Sequence, residues 1–409
     1  MRERRLGTWF LRGMGVVVTI ACVVSIARFL WPSTDLDEQP GGTYRQLSFV
    51  RAAIEDGADK EAQGLFPEGY FFLNALYGLA WAQAGQHDPQ RRAQALRESR
   101  WALDRVESAD GRAAFDRRLR PAYGVFWAGW SNWLRGAVLA LDGGADTALV
   151  RRFEQSSAEI AAAFTDSATP FLQAYPGQAW PVDATVAIAS LRLHDRLRGA
   201  RFEATITRWL GDARARLDPA TGLLPHEVSP DGSIADGARA TSQTMIHRFL
   251  PEIDAEFARA QYAAFRRQFL AYPGGFGPGL REYPHGRDGA GDVDSGPLVA
   301  GVSLSATVVA LGAARVNGDP ELAAALGSEG ELLGLPLTLP GSKRYAFGLV
   351  PIGDAFVVWS ATARPLTTPF VPARDYGLRW WWRIPWLLLL GVLALAPWVR
   401  PVVRRIGAG

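Results

Sequence analysis

Cysteine is almost absent from this chain, since Cys22 is the only one among 409 residues. It lies inside an apolar stretch near the N-terminus. Outside that stretch, the sequence therefore excludes a disulfide framework, a thiolate zinc site and a cysteine nucleophile. Any catalysis there must use carboxylates, histidines, tyrosines, hydroxyls or a metal site without thiolates. The sequence indicates no cofactor.

Long apolar runs are also missing, except at the two ends. Residues 13–31 and 380–399 carry one charge each, Arg28 and Arg383. Each run is close to the ~20 residues with which a helix crosses a bilayer core. We therefore predict two transmembrane helices. A cleaved signal peptide is the alternative for the first run, although its only small-residue site is the weak Ser25-Ile26-Ala27.

Arginines flank the two runs on the sides that face the chain ends: Arg2, Arg4, Arg5, Arg12, Arg400, Arg404 and Arg405. Short basic flanks stay on the cytoplasmic side of a membrane. We therefore predict that residues 1–12 and 400–409 are cytoplasmic at a bacterial-type inner membrane. Residues 32–45 are then a linker, and residues 46–375 form a periplasmic or extracellular domain.

The formal net charge of +3 hides an acidic domain. The two ends hold ten of the 44 basic residues and one of the 41 acidic residues. The remainder has 34 basic and 40 acidic side chains, a net charge of −6. Because nucleic-acid binding needs a basic surface, this balance argues against a nucleic-acid partner. The predicted partners are membrane lipid, through the two transmembrane helices, and a glycan; the oligomeric state stays open.

Apolar and charged stretches alternate through most of the domain, with spacings typical of helices. The apolar stretches are 69–84, 122–141, 182–197, 239–250 and 298–316. The charged stretches between them are 89–106, 147–164, 199–217 and 253–270. This alternation predicts helical hairpins, each with a buried inner helix and a wetter outer helix. Residues 345–359 are aromatic and β-branched, which predicts a β-hairpin with Asp354 in its turn.

Long polar loops precede several of the apolar stretches, as at 175–180, 225–238 and 283–296. Over residues 45–370 this arrangement resembles the (α/α)6 toroids of the six-hairpin glycosidase superfamily. The resemblance implies a ring of helical hairpins with the active site in the loops at one end. It also implies activity on a glycan as a hydrolase, a lyase or an epimerase. Five apolar helices are clear, and the sixth is irregular or missing. The predicted fold is therefore mainly α, an (α/α) helical-hairpin toroid with a small C-terminal β-hairpin.

The loop at 281–297 concentrates chemically active side chains ahead of an apolar helix. The candidates are Arg281, Glu282, Tyr283, His285, Asp292 and Asp294. The positive end of a helix lowers the pKa of a nearby carboxyl group, so an ionised Asp294 is a candidate base or electrostatic stabiliser. The alternative is capping of the helix by Asp294 or Ser295.

Two further loops contain candidate carboxyl groups. Glu227 follows His226 just before a turn, and an aromatic cavity would raise its pKa and make it a general acid. A solvated loop is the alternative for both residues. Asp183 falls in the first turn of an apolar helix, either facing a cavity beside Trp180 as a sugar-stacking platform or interacting only with the helix dipole.

Arg239, Gln243 and His247 share one face of a predicted helix. This polar stripe lines a cavity or faces solvent. The leading interpretation is a membrane-anchored enzyme that cleaves an envelope or exopolysaccharide glycan with Glu227 as acid and Asp294 or Asp183 as base or nucleophile.

One alternative to this cleavage is a lyase or epimerase, in which Tyr283 or His285 moves the proton and Arg281 or Arg287 neutralises a uronate. Another is a domain of an envelope assembly complex that binds a glycan or acts as a scaffold without catalysis.

Overall fold

The computed structural model describes residues 2–31, 40–366 and 371–406. Part of the predicted linker, residues 32–39, and the last three residues of the predicted cytoplasmic tail lie outside this description. So do the side chains of the flanking arginines other than Arg12. The protein is mainly helical, with 65% of residues in helices and 6% in strands, as the sequence predicts.

The helices of the described chain are α1 (Arg2–Leu30), α2 (Pro40–Glu55), α3 (Ala58–Leu65), α4 (Gly69–His87), α5 (Arg92–Val106), α6 (Ala109–Arg112), α7 (Gly124–Asp142), α8 (Thr147–Asp166), α9 (Pro181–Arg198), α10 (Glu203–Arg214), α11 (Ala240–Ile253), α12 (Ala255–Phe269), α13 (Leu304–Val316), α14 (Pro320–Leu333), α15 (Pro351–Ala361) and α16 (Arg383–Ile406). Short 3-10 turns occur at Pro89–Arg91, Pro273–Gly275 and Ala346–Gly348.

The strands form four small antiparallel hairpins: β1 (Glu227–Val228) with β2 (Ile234–Asp236), β3 (Leu270–Ala271) with β4 (Gly279–Leu280), β5 (Leu298–Val299) with β6 (Val302–Ser303), and β7 (Leu337–Leu339) with β8 (Ser342–Arg344). Their registers place Glu227 opposite Asp236 and Leu298 opposite Ser303. All four hairpins lie in loops that connect the helices.

The alternation of apolar and charged helices is confirmed. The apolar stretches become α4, α7, α9, α11 and α13, and the charged stretches become α5, α8, α10 and α12. A helix that is apolar on all sides must be buried, and nearly all of α4 is. The outer α8 has one buried face, and its N-cap Asp146 accepts hydrogen bonds from the backbone N–H groups of Ala148 and Leu149.

Six helices of the described chain contact one another in a closed circuit, in the order α4, α7, α9, α11, α13, α15 and back to α4. They run parallel. Phe72 and Phe356, near the starts of α4 and α15, have ring centroids 5.6 Å apart. Gln83, near the end of α4, donates to the carbonyl oxygen of Arg364 just beyond α15. The six N-termini therefore lie at one end of the circuit.

Glycines let these six helices approach closely. A Cβ atom at Gly136 of α7 would lie 2.4 Å from Cδ2 of Leu193 in α9, and one at Gly129 would lie 3.0 Å from the backbone of Ala187. Such close packing leaves no room for larger side chains at these crossings. Each inner helix also has an outer partner, and the partner of α15 is α2 from the start of the chain.

The predicted β-hairpin at 345–359 is wrong, because most of it is α15. Pro351 occupies the first turn of that helix, where its missing N–H group costs nothing. Val358 and Trp359 are buried against neighbouring helices, and this packing overrides their strand preference. A small hairpin does exist just upstream, in β7 and β8. The sixth inner helix that the sequence pattern lacked is therefore α15.

The predicted turn role of Asp354 is also wrong. Its carboxylate is buried in the first turn of α15 and accepts hydrogen bonds from Gln46 Nε2 at 2.9 Å and from the backbone N–H of Tyr345 at 3.0 Å. Burial raises the pKa of Asp354 to about 7. The residue thus joins α2, α15 and the end of β8.

Helices α1 and α16 pack together outside the circuit and run antiparallel. Thr19 Oγ1 donates to the carbonyl oxygen of Ala394 at 2.9 Å, and Phe29 meets Trp382 edge-on at 5.4 Å. Within the described chain, residues 12–30 of α1 are the one helical segment long and apolar enough to cross a membrane. The apolar part of α16 is shorter, at 383–399.

Candidate functional site

Three carboxyl groups come together at the N-terminal end of the circuit. Glu68 is the N-cap residue of α4, Asp183 lies in the first turn of α9, and Asp294 lies in the loop before α13. The charge of Asp183 interacts with both Glu68 and Asp294. The circuit therefore assembles an acidic cluster from three elements that are distant in sequence.

Asp183 is the most deeply buried member, with 5% of its surface exposed. Burial raises its pKa well above the usual range, and the charges of Glu68 and Asp294 raise it further. The helix dipole, which would favour the anion, is therefore outweighed. Burial and the two neighbouring carboxyl groups therefore favour the protonated form of Asp183.

Tyr175 connects to this cluster through its hydroxyl group, which donates to Oε1 of Glu68. Burial raises the pKa of Tyr175, and Glu68, Asp183 and Asp294 all add to the shift. The phenol thus stays protonated. The half-buried ring of Trp180, the N-cap residue of α9, meets Tyr175 edge-on with centroids 5.9 Å apart.

Asp294 does not behave as the sequence predicts. Its pKa is raised to about 6 by burial and by Asp292 and Glu68, while Arg239 acts in the opposite direction. The expected lowering is wrong because Asp294 is not at the start of a helix. Ser303 is the N-cap of α13, and its hydroxyl accepts from the N–H of Ala306. Although protein surrounds Asp294, its side chain remains open to solvent on one side.

The capping alternative for Asp294 and Ser295 is therefore not what the structure shows either. Within this loop Asp292 makes the turn, because its Oδ1 accepts from the N–H groups of Asp294 at 3.1 Å and Ser295 at 2.9 Å. Burial would raise the pKa of Asp292, but the hydrogen bonds from Ser295 and Arg239 lower it overall.

Arg239, the N-cap residue of α11, ties this loop to the circuit. Its guanidinium lies 2.8 Å from Glu282, 2.5 Å from Asp292 and 3.7 Å from Asp236. The guanidinium also lies over the ring of Tyr283, 5.2 Å from its centroid. These contacts make Arg239 a positioning residue for the loop that carries Asp294.

Glu282 is fully buried and accepts from Arg239 Nε and from Thr241 Oγ1, each at 2.8 Å. Burial raises its pKa to about 6, against the opposing effects of Thr241 and Arg239. Tyr283 is fixed by its hydroxyl, which donates to the carbonyl oxygen of Ala290 at 3.0 Å. Both side chains therefore serve the loop's shape.

Glu227 and His226 lie at β1, beside the loop that leads into α9, because the N–H of Val228 donates to the carbonyl oxygen of Ala179 at 2.9 Å. Among the contacts of the described residues, none joins Glu227 to Asp183 or Asp294. His226 is buried, and its Nδ1 lies 2.6 Å from Oγ of Ser242. Burial and the nearby Arg239 lower its pKa to about 4, so its ring is neutral.

The polar stripe on α11 lies neither on a cavity nor in solvent. Gln243 is buried, and its Nε2 donates to the carbonyl oxygen of Leu224 at 2.6 Å. His247 is fully buried beside Phe265 and Tyr262, with ring centroids 4.9 and 5.6 Å away, and burial lowers its pKa to about 3. Both expectations are wrong for these two residues, because the loop at Leu224 covers Gln243 and the outer helix α12 covers His247.

His285 and Arg281 line a different depression of about 400 Å³, together with Leu270, Ala271, Tyr272, Pro273, Gly274, Ala300 and Arg379. His285 Nε2 lies 3.0 Å from the carbonyl oxygen of Leu270, and Arg281 pairs with Asp288 at 2.5 Å. No described contact links His285 to the carboxyl cluster. The catalytic assignment of His285 is therefore not supported by its position.

Sequence reasoning missed Glu68 and Tyr175. A signal was present for Glu68, because an acid lies within two residues of the proline at the start of two inner helices: Pro67-Glu68 and Pro181-Val182-Asp183. Of these two acids, only Asp183 was selected as a candidate. Tyr175 belongs to the polar loop that precedes α9.

Half-buried apolar side chains lie on the inner helices near the N-terminal end of the circuit. Phe72, Met245 and Phe356 are partly exposed, although most of their neighbours on α4, α11 and α15 are buried. Solvent therefore reaches the inner helices from the N-terminal end. Rings placed beside carboxyl groups provide stacking surfaces for an amphipathic ligand.

The cluster pairs the deeply buried carboxyl group of Asp183 with that of Asp294, which is open to solvent on one side, and acid/base chemistry uses carboxyl groups in such different environments. Within the described residues, no group of three or more His, Cys, Asp and Glu side chains has the geometry to hold a metal ion. No protein-family model matches the chain, and no curated protein is significantly similar to it. The function is therefore argued from the site itself.

Proposed function

We propose that the protein is a membrane-anchored enzyme that cleaves an envelope or exopolysaccharide glycan by carboxyl acid/base chemistry. The single observation that carries this proposal is that the carboxyl groups of Asp183, Asp294 and Glu68 interact electrostatically at one end of the circuit. A glycosidic bond is cleaved by one protonated and one ionised carboxyl group on opposite sides of the bond. Asp183 and Asp294 supply these two states.

In this mechanism Asp183 is the general acid and protonates the leaving glycosidic oxygen. Asp294, with a pKa of about 6, is ionised at neutral pH and acts as base or nucleophile. This assignment replaces Glu227 with Asp183 as the acid. Glu68 contributes a negative charge that keeps the proton on Asp183. Trp180 and Tyr175 provide aromatic surface for a sugar ring.

The fold that goes with this proposal is an (α/α)6 toroid similar to those of the six-hairpin glycosidase superfamily. The support is the closed circuit of six parallel inner helices, each with an outer partner. The likeness concerns architecture, which hosts several chemistries, so the reaction is inferred from the carboxyl groups.

The proposed topology has two membrane helices with the ring on the outer side. Support for α16 as the second span comes from its antiparallel packing on α1, which sets both at the same depth. Val17 and Ile20 of α1 and Leu388 and Val392 of α16 expose apolar surface that lipid would cover. The arginines that flank the apolar parts of both helices, toward the chain ends, favour cytoplasmic termini.

The test is cleavage of purified envelope polysaccharides, followed by the release of reducing ends. The full-length protein in detergent or nanodiscs is compared with its Asp183→Asn and Asp294→Asn variants. Each substitution should lower turnover by at least about 100-fold, the usual contribution of a general acid or base. Glu61→Gln, on the exposed side of α3, is the matched control and should retain full turnover.

The same experiment separates the rival functions. If wild type releases no reducing ends from any glycan but binds one, the domain is a glycan-binding or scaffolding module. If it releases unsaturated products, the reaction is that of a lyase. If both substitutions leave turnover unchanged, the assignment of the site is wrong.

A further inference from the structure

One region of the surface is unusually apolar. Residues 333–350 expose several large side chains, and Phe347 and Leu349 are 59% and 79% exposed. Val299 and Leu304, at the start of α13, are exposed as well. We call this set the apolar rim: Leu333, Leu335, Phe347, Leu349, Val350, Val299 and Leu304. Single exposed apolar residues are ordinary, but several in one region mark a contact surface.

The backbone of the rim holds its side chains outward. Leu335, Ala346 and Phe347 have φ values of 46°, 44° and 58°, in the left-handed region that residues other than glycine rarely adopt. Such conformations cost free energy and are kept where the surrounding structure enforces them. This loop is strained and leaves its apolar groups in solvent, which favours a further surface that covers them.

The rim begins where the membrane helix ends. Leu332, the residue before the rim, is buried against Phe29 and Trp382. Arg28, near the end of α1, donates from Nη1 to the carbonyl oxygen of Pro336 at 2.6 Å. The rim is therefore continuous with the contact between the ring and its membrane helices.

The rim finishes at the end of the ring that carries the site. Val350 is followed by Pro351, the first residue of α15, and Leu304 is the first residue of α13. Both helices start at the same end as α4 and α9, which hold Glu68 and Asp183. The apolar rim and the carboxyl cluster thus share one end of the ring.

The charge of the rim fits lipid as its occupant. Residues 333–350 contain no Asp or Glu, although the domain as a whole is acidic. Of their two basic residues, Lys343 is buried and paired with Glu331 at 2.5 Å, and Arg344 is partly exposed. An apolar surface without acidic groups suits the headgroup region of a bilayer. A second acidic protein domain would not provide an apolar layer into which these side chains could insert.

We propose that the apolar rim rests in the surface of the bilayer that α1 crosses, so that the carboxyl cluster opens toward the membrane and its substrate is a lipid-linked glycan. This inference rests on the proposed membrane anchor and glycan chemistry. The lipid tail stays in the bilayer, and the first sugars reach Asp183 and Asp294 from the membrane surface.

The test uses the low cysteine content of the chain. In a Cys22→Ala background, single cysteines at Leu349, Val17 and Ala145 are labelled with an environment-sensitive fluorophore, in nanodiscs with brominated acyl chains. Val17 lies in α1, and Ala145 lies exposed at the far end of α7. Labels at Val17 and Leu349 should be quenched several-fold more than the label at Ala145.

The outcomes separate the inference from its premise. Quenching at Val17 with Leu349 no more quenched than Ala145 overturns the rim's membrane contact and leaves the anchor standing. No quenching at Val17 overturns the anchor, and the proposed topology with it. Quenching at both positions supports the inference.

The substrate class has its own test, which uses exposed positions so that folding is preserved. The double variant Phe347→Glu/Leu349→Glu should lower turnover of a glycan on a polyprenyl phosphate by at least five-fold, with no change for the same glycan released from its lipid. An equal loss on both substrates, or no loss on either, would overturn the assignment of a lipid-linked substrate.

Discussion

Replacing Asp183 with Asn tests the state of the proposed general acid. The substitution keeps the size and neutrality of a protonated carboxyl group and replaces its ionisable O–H with an amide NH₂ group. Because Asp183 is 5% exposed and its pKa is raised well above its ordinary value of 3.8, Asn should fit without disrupting α9. We expect turnover to fall by about 10²- to 10⁴-fold.

The effect on stability has a definite sign. A carboxyl group with a raised pKa in the folded state binds its proton more tightly there than in the unfolded state. Its contribution to stability is complete below the ordinary pKa of 3.8 and is lost as pH rises toward the raised value. The loss is at most about 1.4 kcal/mol per pH unit for one group. Asn carries no such dependence.

Urea unfolding between about pH 5 and about pH 8 measures this linkage. The stability of Asp183→Asn relative to wild type should improve steadily as pH rises, whereas Glu61→Gln should show no trend. A stability difference that stays constant across this range would mean that folded Asp183 is not held protonated. The assignment of Asp183 as general acid would then be refuted.

Four further outcomes follow from the site and the core. The pH profile of kcat should lose activity below about pH 6, where Asp294 takes up a proton, and Asp183→Asn should remove the alkaline limb in its residual activity. Arg239→Gln should lower the unfolding free energy by about 3–5 kcal/mol because it leaves Glu282 buried without its cation; adding Glu282→Gln should recover part of this loss. Tyr175→Phe should lower kcat with little change in Tm, since it removes the hydrogen bond to Glu68. His247→Leu should leave Tm equal or higher, because neither ring nitrogen of His247 has a hydrogen-bond partner within the described structure; a fall of several degrees would contradict the interior placement.

Local periodicity is enough to predict most of this fold. The inner and outer helices from α4 to α13 follow from the alternation of apolar and charged stretches, because burial on all sides and burial on one face leave different patterns. Helix α15 was not predicted from the sequence, because its valines and aromatic residues favour strands in isolation. Its neighbours α2, α4 and α13 supply the packing that makes it helical.

In the site, too, the residues with a local sequence signal could be predicted, and those that depend on contacts with distant elements could not. Asp183 and Trp180 could be selected because an acid follows a proline and an aromatic residue at a helix start. Glu68 has a similar local setting, but its role depends on the hydrogen bond from Tyr175, which lies in the loop before α9. The positions of His247 and Gln243 were wrongly predicted because nothing in their own helix reveals that α12 covers His247 and that the loop at Leu224 covers Gln243.

The closed circuit also governs how the chain can be cut. The outer partner of α15 is α2, and α15 itself packs on α4, so the last helix pair of the ring is built from both ends of the domain. These contacts join residues as far as 308 positions apart, as Gln46 and Asp354 are, and they form only after the whole domain has been synthesised. Loss of α15 would leave the apolar sides of α4 and α13 uncovered, and no subset of hairpins closes on itself. The domain therefore cannot be shortened by one hairpin. Such a truncation would give an open array with exposed apolar surface at both ends, and no smaller ring would close.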